Sequence, residues 1–440
     1  MNPEILLDAA QKGDRDAQFR LGARYFSRGI PGDADIWLRR AAEQGHAEAL
    51  NLLGVIYLNG IGVPPAPVRS MEYFTAAARQ DLKEAHFNLA GLLFSGVVVD
   101  ADEARAIKHL LRAAELRHRP ALRTLGYLYA CDTDNRQSQE LATWCFSRAA
   151  LLGDAHAEYA LGMRHYHGQG TAVNREEGLH WIVRAATKNM YCANAFIDAH
   201  MAGTGEEIRR RLHSYSPLTT TTSAPEARDL PPPDISTPAA SPESRLDPVS
   251  EYPHILQGHV CDYLINLAAP RLQRSEVVDP ATGKALRVML RTSSSMNFEL
   301  SMYDMVVGLA CRRLASAAGT TCSHAEPMSI LRYLPGEEYK PHYDYFALNE
   351  QGVPVVRDKN GQRISTVFAY LNDVEEGGET VFPRLATTVA PAKGKAVRFG
   401  NCDPGGQPNP DTLHAGLPVI RGEKWLATLW FRERPFDWSG

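Results

Sequence analysis

Alanine pairs that recur every 36 residues decide what the first half of this 440-residue chain can fold into. Ala41-Ala42, Ala77-Ala78, Ala113-Ala114, Ala149-Ala150 and Ala185-Ala186 keep that step throughout. A second register, Ala17, Ala49, Ala85, Ala121, Ala157 and Ala193, runs in phase with it. Its first step is 32 residues instead of 36, which predicts a shortened loop in the first repeat. Gly22, Gly54, Gly126 and Gly162 each follow a register alanine by five residues, and Ala90 takes that place in the third repeat. In the second unit Ala49, Leu52, Leu53, Ile56 and Tyr57 fall at i, i+3, i+4, i+7 and i+8, one face of a helix. Each unit therefore reads as two amphipathic helices. Small residues at fixed points let neighbouring helices cross closely, and stacking buries a core that no single pair could make.

The segments Leu21-Gly22…Tyr25…Ala41-Ala42-Glu43-Gln44-Gly45 and Leu53-Gly54…Tyr57…Gly60-Ile61-Gly62-Val63 resemble Sel1-like repeats, relatives of the tetratricopeptide family, over residues 10 to about 205. The resemblance implies an α-solenoid with a concave face for a protein or peptide partner. Residues 214–250 change character: Pro217, Thr219 to Thr222, Pro231-Pro232-Pro233 and Pro248 leave almost no apolar periodicity. If flexible, a spacer of about 35 residues spans roughly 30 Å, which allows separate but tethered halves and leaves open whether they dock. The expected organisation is residues 1–205 as the array, 206–250 as linker and 251–440 as a second domain.

That second domain has a mixed texture. Helices are predicted around Cys261–Ala269 and Tyr303–Ala318. Short β-rich runs follow at Met328–Leu334, Tyr339–Phe346, Ser365–Leu371, Ala396–Phe399 and Trp425–Arg432, separated by glycine turns. Such a series suggests a sandwich or jelly roll with flanking helices. The formal charge of −4, with no basic tail, gives no reason to expect nucleic acid or an anionic membrane as partner. No apolar run approaches the roughly 20 residues a bilayer span needs, and the amino terminus lacks signal-peptide texture. Seven scattered cysteines with no C-x-x-C pair point to a reducing, cytoplasmic location.

Among the 15 histidines, His-x-Asp occurs once, at His342-Tyr343-Asp344, while His-x-Glu occurs at His46, His156 and His324. His46 and His156 begin repeat helices, where residues i and i+2 point about 200° apart and cannot chelate one ion. Both read as solvated turn residues, and His324 as a loop residue. His342 and Asp344 lie in a β-like run, where alternate residues share a face. The one histidine further downstream is His414. Two imidazoles and a carboxylate form the facial triad of Fe(II) oxygenases. Lys424 leads an apolar strand, where a buried ammonium is costly unless it meets an anion; alone, it reads equally as a lysine snorkelling to solvent.

The segments Leu331 to Asp344, Tyr370 to Pro383 and His414 to Val419 through Lys424-Trp425 resemble the prolyl 4-hydroxylase branch of the Fe(II)/2-oxoglutarate oxygenases, over about residues 251–434. The resemblance implies a double-stranded β-helix, with His342, Asp344 and His414 as iron ligands. It implies that Lys424 pairs with the distal carboxylate of 2-oxoglutarate, helped by Tyr333 and Thr380, and that Tyr339, Arg363 and Trp430 face the acceptor. Fe(II), 2-oxoglutarate, O2 and L-ascorbate follow as cofactors and co-substrates, with succinate and CO2 as co-products. Tethering by the array raises the effective concentration of a recruited substrate. Two other readings follow from the same residues: an adaptor whose second domain is inactive or sensory, and a hydroxylase of a lysyl, amino-acid or small-molecule acceptor.

Overall fold

The computed structural model describes residues 3–200, 226–235, 242, 244–246, 248–275, 277–278, 285–286, 292–347, 359–403 and 405–438. Helix α1 (Pro3–Gln11) leads five antiparallel pairs: α2 (Arg15–Ser27) with α3 (Pro31–Glu43), α4 (Ala47–Asn59) with α5 (Pro67–Ala78), α6 (Lys83–Ser95) with α7 (Glu103–Glu115), α8 (Arg119–Ala130) with α9 (Arg136–Leu151), and α10 (Ala155–His167) with α11 (Arg175–Thr187). Helix α12 (Tyr191–His200) ends the stack. Residues 28–30 join α2 to α3, whereas residues 60–66 join α4 to α5, so the first repeat does have the shorter loop.

The glycines mark where the two helices of a repeat cross. A Cβ on Gly22, Gly54, Gly126 or Gly162 would lie 2.7, 2.5, 2.8 or 2.6 Å from Leu38, Phe74, Phe146 or Ile182. In the third repeat Ala90 and Leu110 are both fully buried, and the glycine has moved one place, to Gly91. A methyl group there would collide with the carbonyl of Tyr303, in the second half of the chain. The exception in the repeat pattern thus marks a docking point.

The two halves are not merely tethered. Helices α13 (Gly258–Ala268) and α14 (Met305–Ala318) share one buried core with the array, joining Phe94, Leu125 and Tyr127 to Tyr263, Val306 and Leu309. Arg123 of α8 donates to Asp154 at 2.9 Å and to the Tyr263 hydroxyl at 3.1 Å, and it lies 3.8 Å from Asp304. Tyr263 donates to Asp304, whose other oxygen caps α14 by accepting from the Val306 and Val307 amides. Leu230 and Ile235 of the Pro-rich segment are buried, and the Pro231 carbonyl accepts from Tyr129. Chain composition leaves docking open, because it says nothing about apolar faces that two domains bury jointly.

Two histidines also differ from expectation. His46 caps α4, its Nδ1 accepting from the Ala49 amide at 3.3 Å. His156 packs against Tyr263 with ring centroids 5.2 Å apart, and burial pushes its pKa down to about 3. Neither is a solvated turn residue. Since loss of one partner from a buried charge network strands the others, Arg123→Ala is expected to lower stability by about 3–5 kcal/mol. The denaturant midpoint of the full chain tests this; an unchanged midpoint would show that the halves do not depend on this network.

The C-terminal domain is built on antiparallel strands β1 (Ser244–Leu246), β2 (Val249–Tyr252), β3 (Gln273–Arg274), β4 (Ser294–Asn297), β5 (Ser329–Tyr333), β6 (Tyr339–His342), β7 (Arg363–Tyr370), β8 (Thr380–Phe382), β9 (Thr387–Val389), β10 (Ala396–Gly400), β11 (His414–Gly416) and β12 (Lys424–Arg432). The major sheet runs β1-β2-β10-β7-β12-β5-β4-β3, and a smaller one runs β9-β8-β11-β6. The inner cluster Leu331, Phe368, Phe382, Val397, Phe399 and Leu426 draws on strands of both, the layout of a jelly roll. Strands β8, β9 and β11 were not expected; each is three residues long and too short to show period-2 alternation. Among the described residues no helix is long and apolar enough to cross a membrane.

Candidate active site

Strands β6 and β11 pair so that His342 and His414 face each other across the ladder, their ring centroids 4.2 Å apart. The expected strand through Phe346 stops at His342. Strand β11 begins at His414, so residues after His342 have no partner to extend the ladder. Asp344 therefore reaches the same spot through a bend rather than by strand alternation. Its carboxylate lies 3.7 Å from His342 Nε2 and 3.8 Å from His414 Nε2. One ligand atom from each of the three falls within 4.8 Å of the other two.

The hydrogen bonds around this trio fix its chemistry. His342 Nδ1 lies 2.8 Å from the Lys340 carbonyl, and His414 Nδ1 lies 2.9 Å from the Thr412 carbonyl. A carbonyl can only accept, so each Nδ1 carries a proton and each Nε2 is the ring atom turned toward Asp344. Thr366 donates to Asp344 Oδ2 at 2.8 Å and accepts from Asn401 Nδ2 at 2.9 Å. Burial alone would push the Asp344 carboxyl up, but His414, His342, Arg363 and the Thr366 hydroxyl together hold it below its ordinary value. A carboxylate oriented by an outer hydrogen-bond partner, with two imidazoles pinned by carbonyls, is a set of donors arranged for a metal ion. Two nitrogens and one carboxylate suit Fe(II), because this set leaves coordination positions open.

A cavity leads from this trio to Lys424. On β12, Lys424, Leu426, Thr428 and Trp430 line it from one face, joined by Tyr333, Tyr339, Thr366, Phe368, Thr380 and Gly416. Lys424 is 2 % exposed, and its ammonium makes no hydrogen bond or ion pair among the described residues. Its Nζ lies 5.4 and 5.5 Å from the ring centres of Tyr333 and Tyr370, and burial pushes its pKa down to about 7. Tyr333 is its register partner on β5. Thr380 accepts from the Tyr370 hydroxyl at 2.8 Å. A Cβ on Gly416 would come within 3.4 Å of Nζ, so glycine there keeps the space before the ammonium open.

The remaining residues expected to face the acceptor divide. Tyr339 stacks on His342 with ring centroids 3.5 Å apart. Trp430 lines the cavity, and its buried Nε1 has no partner among the described residues. Arg363 does not line the cavity. It makes a two-point ion pair with Glu326, 2.7 Å at each contact, and stacks over Trp430 at 4.5 Å. Strong pairing to a buried acid outcompetes a cavity-facing rotamer. Thr366, Asn401, Tyr370 and Glu326 were missed. Thr366 and Tyr370 share a strand face with Phe368, a period-2 signal, whereas nothing in the sequence marks Asn401, and Glu326 stands out only as part of a His-x-Glu pattern in a loop.

Comparison with known proteins agrees with this geometry. The profile of the 2OG-Fe(II) oxygenase superfamily matches residues 328–432. That of the Sel1 repeat matches residues 15–46, 47–82, 83–118, 120–154 and 155–190. Probable prolyl 4-hydroxylase 3 of Arabidopsis thaliana is 38% identical over 199 residues, 41% of this chain and 67% of that protein. Prolyl 4-hydroxylase 5 of the same plant is 37% identical over 205 residues, 42% of this chain and 68% of the relative. Among solved structures, the viral collagen prolyl hydroxylase of Paramecium Bursaria Chlorella virus-1 in its 2OG complex is 29% identical, covering 42% of this chain and 96% of its own, with a TM-score of 0.34. A Sel1 repeat protein from Oxalobacter formigenes is 26% identical, covering 44% of this chain and 57% of its own, with a TM-score of 0.41.

Proposed function

We propose that this chain, which belongs to the prolyl 4-hydroxylase family of 2OG-Fe(II) oxygenases, hydroxylates a prolyl residue of a protein or peptide held by its repeat array. The chain is a 2-oxoglutarate-dependent dioxygenase, and the family implies Fe(II), 2-oxoglutarate and O2. The overall reaction converts a substrate C–H bond, 2-oxoglutarate and O2 into C–OH, succinate and CO2. Bound iron supplies the activation of O2 that this exchange requires.

His342, Asp344 and His414 would hold the iron, and their fixed tautomers and the Thr366 hydrogen bond support that role. Lys424 would pair with the distal carboxylate of 2-oxoglutarate, with Tyr333 and Thr380 at its sides. The observation that carries this reading is a buried ammonium that no carboxylate pairs with among the described residues, placed in one cavity with His342, Asp344 and His414. Tyr339 and Trp430 would border the acceptor. Arg363 would act through Trp430, holding the indole in place rather than touching substrate. The apolar cavity walls, Leu331, Phe368 and Leu426, exclude water from the reacting atoms. L-Ascorbate would keep the iron reduced after uncoupled turnover. Five of the seven cysteines are buried, and all seven are free thiols, which favours a reducing compartment such as the cytoplasm.

The test supplies the full chain with Fe(II), 2-oxoglutarate, ascorbate and a panel of proline-containing peptides. Peptides gaining one oxygen atom on proline, in step with succinate release, are the expected result. Succinate release coupled only to lysyl or free amino-acid acceptors would overturn the prolyl assignment and leave the oxygenase chemistry standing.

A further inference from the structure

A buried cation also lies in the repeat array. Seven residues after the register alanine, the second, third and fourth repeats place Ile56, Leu92 and Leu128, all buried. The fifth places Arg164, which is 4 % exposed. Its guanidinium donates only to neutral groups: Nε to the Thr143 hydroxyl at 2.8 Å, and Nη2 to the Gln139 carbonyl and side-chain oxygen at 2.6 and 3.0 Å. Nη1 makes no hydrogen bond, and no carboxylate pairs with Arg164, among the described residues. A buried charge is costly unless it is paired. An apolar side chain at this position, as in the second, third and fourth repeats, would avoid that cost; the first repeat also has an arginine here, Arg24, but only partly buried. Burial without an acid pushes the pKa of Arg164 down to about 10.

Arg164 opens on a cavity of ≈ 570 Å³ between the fourth and fifth repeats and the start of α13, a volume within the range of ligand sites. Tyr127, Phe146 and Tyr159 contribute aromatic surface to its wall. Lys393, the other lysine or arginine lining it, meets Asp262 at 2.5 Å, so among the described residues Arg164 is the lining cation without a carboxylate partner. The charge calls for an oxyanion, and the aromatic wall calls for apolar groups beside it, which a bare inorganic ion does not bring.

We infer that this cavity binds an acidic residue of a peptide segment in a partner protein, its carboxylate pairing with Arg164 and its neighbours packing on the aromatic wall. The inference goes beyond the hydroxylase reading and holds whether or not the partner is the hydroxylated protein.

The full chain, as wild type and as Arg164→Leu, is exposed to a pool of short blocked peptides with central glutamate and mixed flanking residues, and to the matched glutamine pool. Wild type is expected to retain the glutamate pool about tenfold better, the scale of one charge-assisted hydrogen bond. Arg164→Leu is expected to lose that preference while melting no lower than wild type. Should the leucine variant fail to fold, Arg164→Gln carries the same comparison. Equal retention of the two pools by wild type, or a preference that survives both substitutions, would overturn the proposal. So would inorganic phosphate displacing the peptides as well as the peptides displace one another, since that assigns the site to a free anion. Succinate release measured without peptide reports on the iron site separately, so loss of one reading does not carry the other with it.

Discussion

His342→Ala should end succinate release and Fe(II) binding together, while leaving the melting temperature near that of wild type. His342 contributes one of the three donor atoms that converge within 4.8 Å, and an alanine leaves the site one ligand short. Loss of a mere outer-shell partner typically costs roughly 10–100-fold in metal affinity or activity, so loss of the ligand itself should exceed that range. Thr366 supplies the internal calibration. Thr366→Val keeps the side-chain shape but removes the hydrogen bond to Asp344, and an intermediate fall of about 10–100-fold in Fe(II) affinity is expected. Calorimetric Fe(II) titration alongside succinate release gives the ranking. If His342→Ala retained turnover within tenfold of wild type, or if Thr366→Val proved the more damaging change, the metal assignment would fail.

What could be read in the sequence follows the range over which each interaction acts. The repeat half was legible because stacking obliges every unit to repeat the same small residues, and even the short first loop announced itself in one 32-residue step. The convergence of His342, Asp344 and His414 was legible in their order and spacing, but not the way they are placed. His342 and Asp344 do converge, yet Asp344 arrives through a bend, because the ladder between β6 and β11 ends at the His342–His414 rung. Strand β11 itself, three residues long, could not be seen locally. Long-range polar partners were invisible: Glu326 claims Arg363 across 37 residues, and Asn401 supports Thr366 across 35. The docking of the halves was equally hidden, apart from the displaced glycine at Gly91, whose meaning needs Tyr303 beside it.

Lys424→Met should make the protein more stable and catalytically idle. In the folded chain burial pushes the Lys424 pKa down to about 7, from an ordinary value of 10.5. Unfolding returns the group to water, where it binds a proton more readily, so the buried lysine favours the unfolded state. The penalty is absent above pH 10.5, grows as pH falls from there toward 7, and is constant below 7. Each pKa unit is worth about 1.4 kcal/mol, which puts the penalty at pH 7 on the order of 4 kcal/mol. Methionine fills similar volume without charge, so the variant should melt higher at pH 7, and its advantage should vanish as pH approaches 10.5. The same titration predicts how the wild type binds 2-oxoglutarate. Above pH 7 the ammonium must regain its proton to pair with the distal carboxylate, so affinity should fall by up to about tenfold per pH unit there and change little just below pH 7. Melting curves and the KM for 2-oxoglutarate across pH 6–9 test both halves. A methionine variant that melts no higher at pH 7 and still turns over at wild-type 2-oxoglutarate concentrations would show that Lys424 is a packed strand residue. The stability held back at this position is the trade expected of a binding group kept desolvated for its ligand.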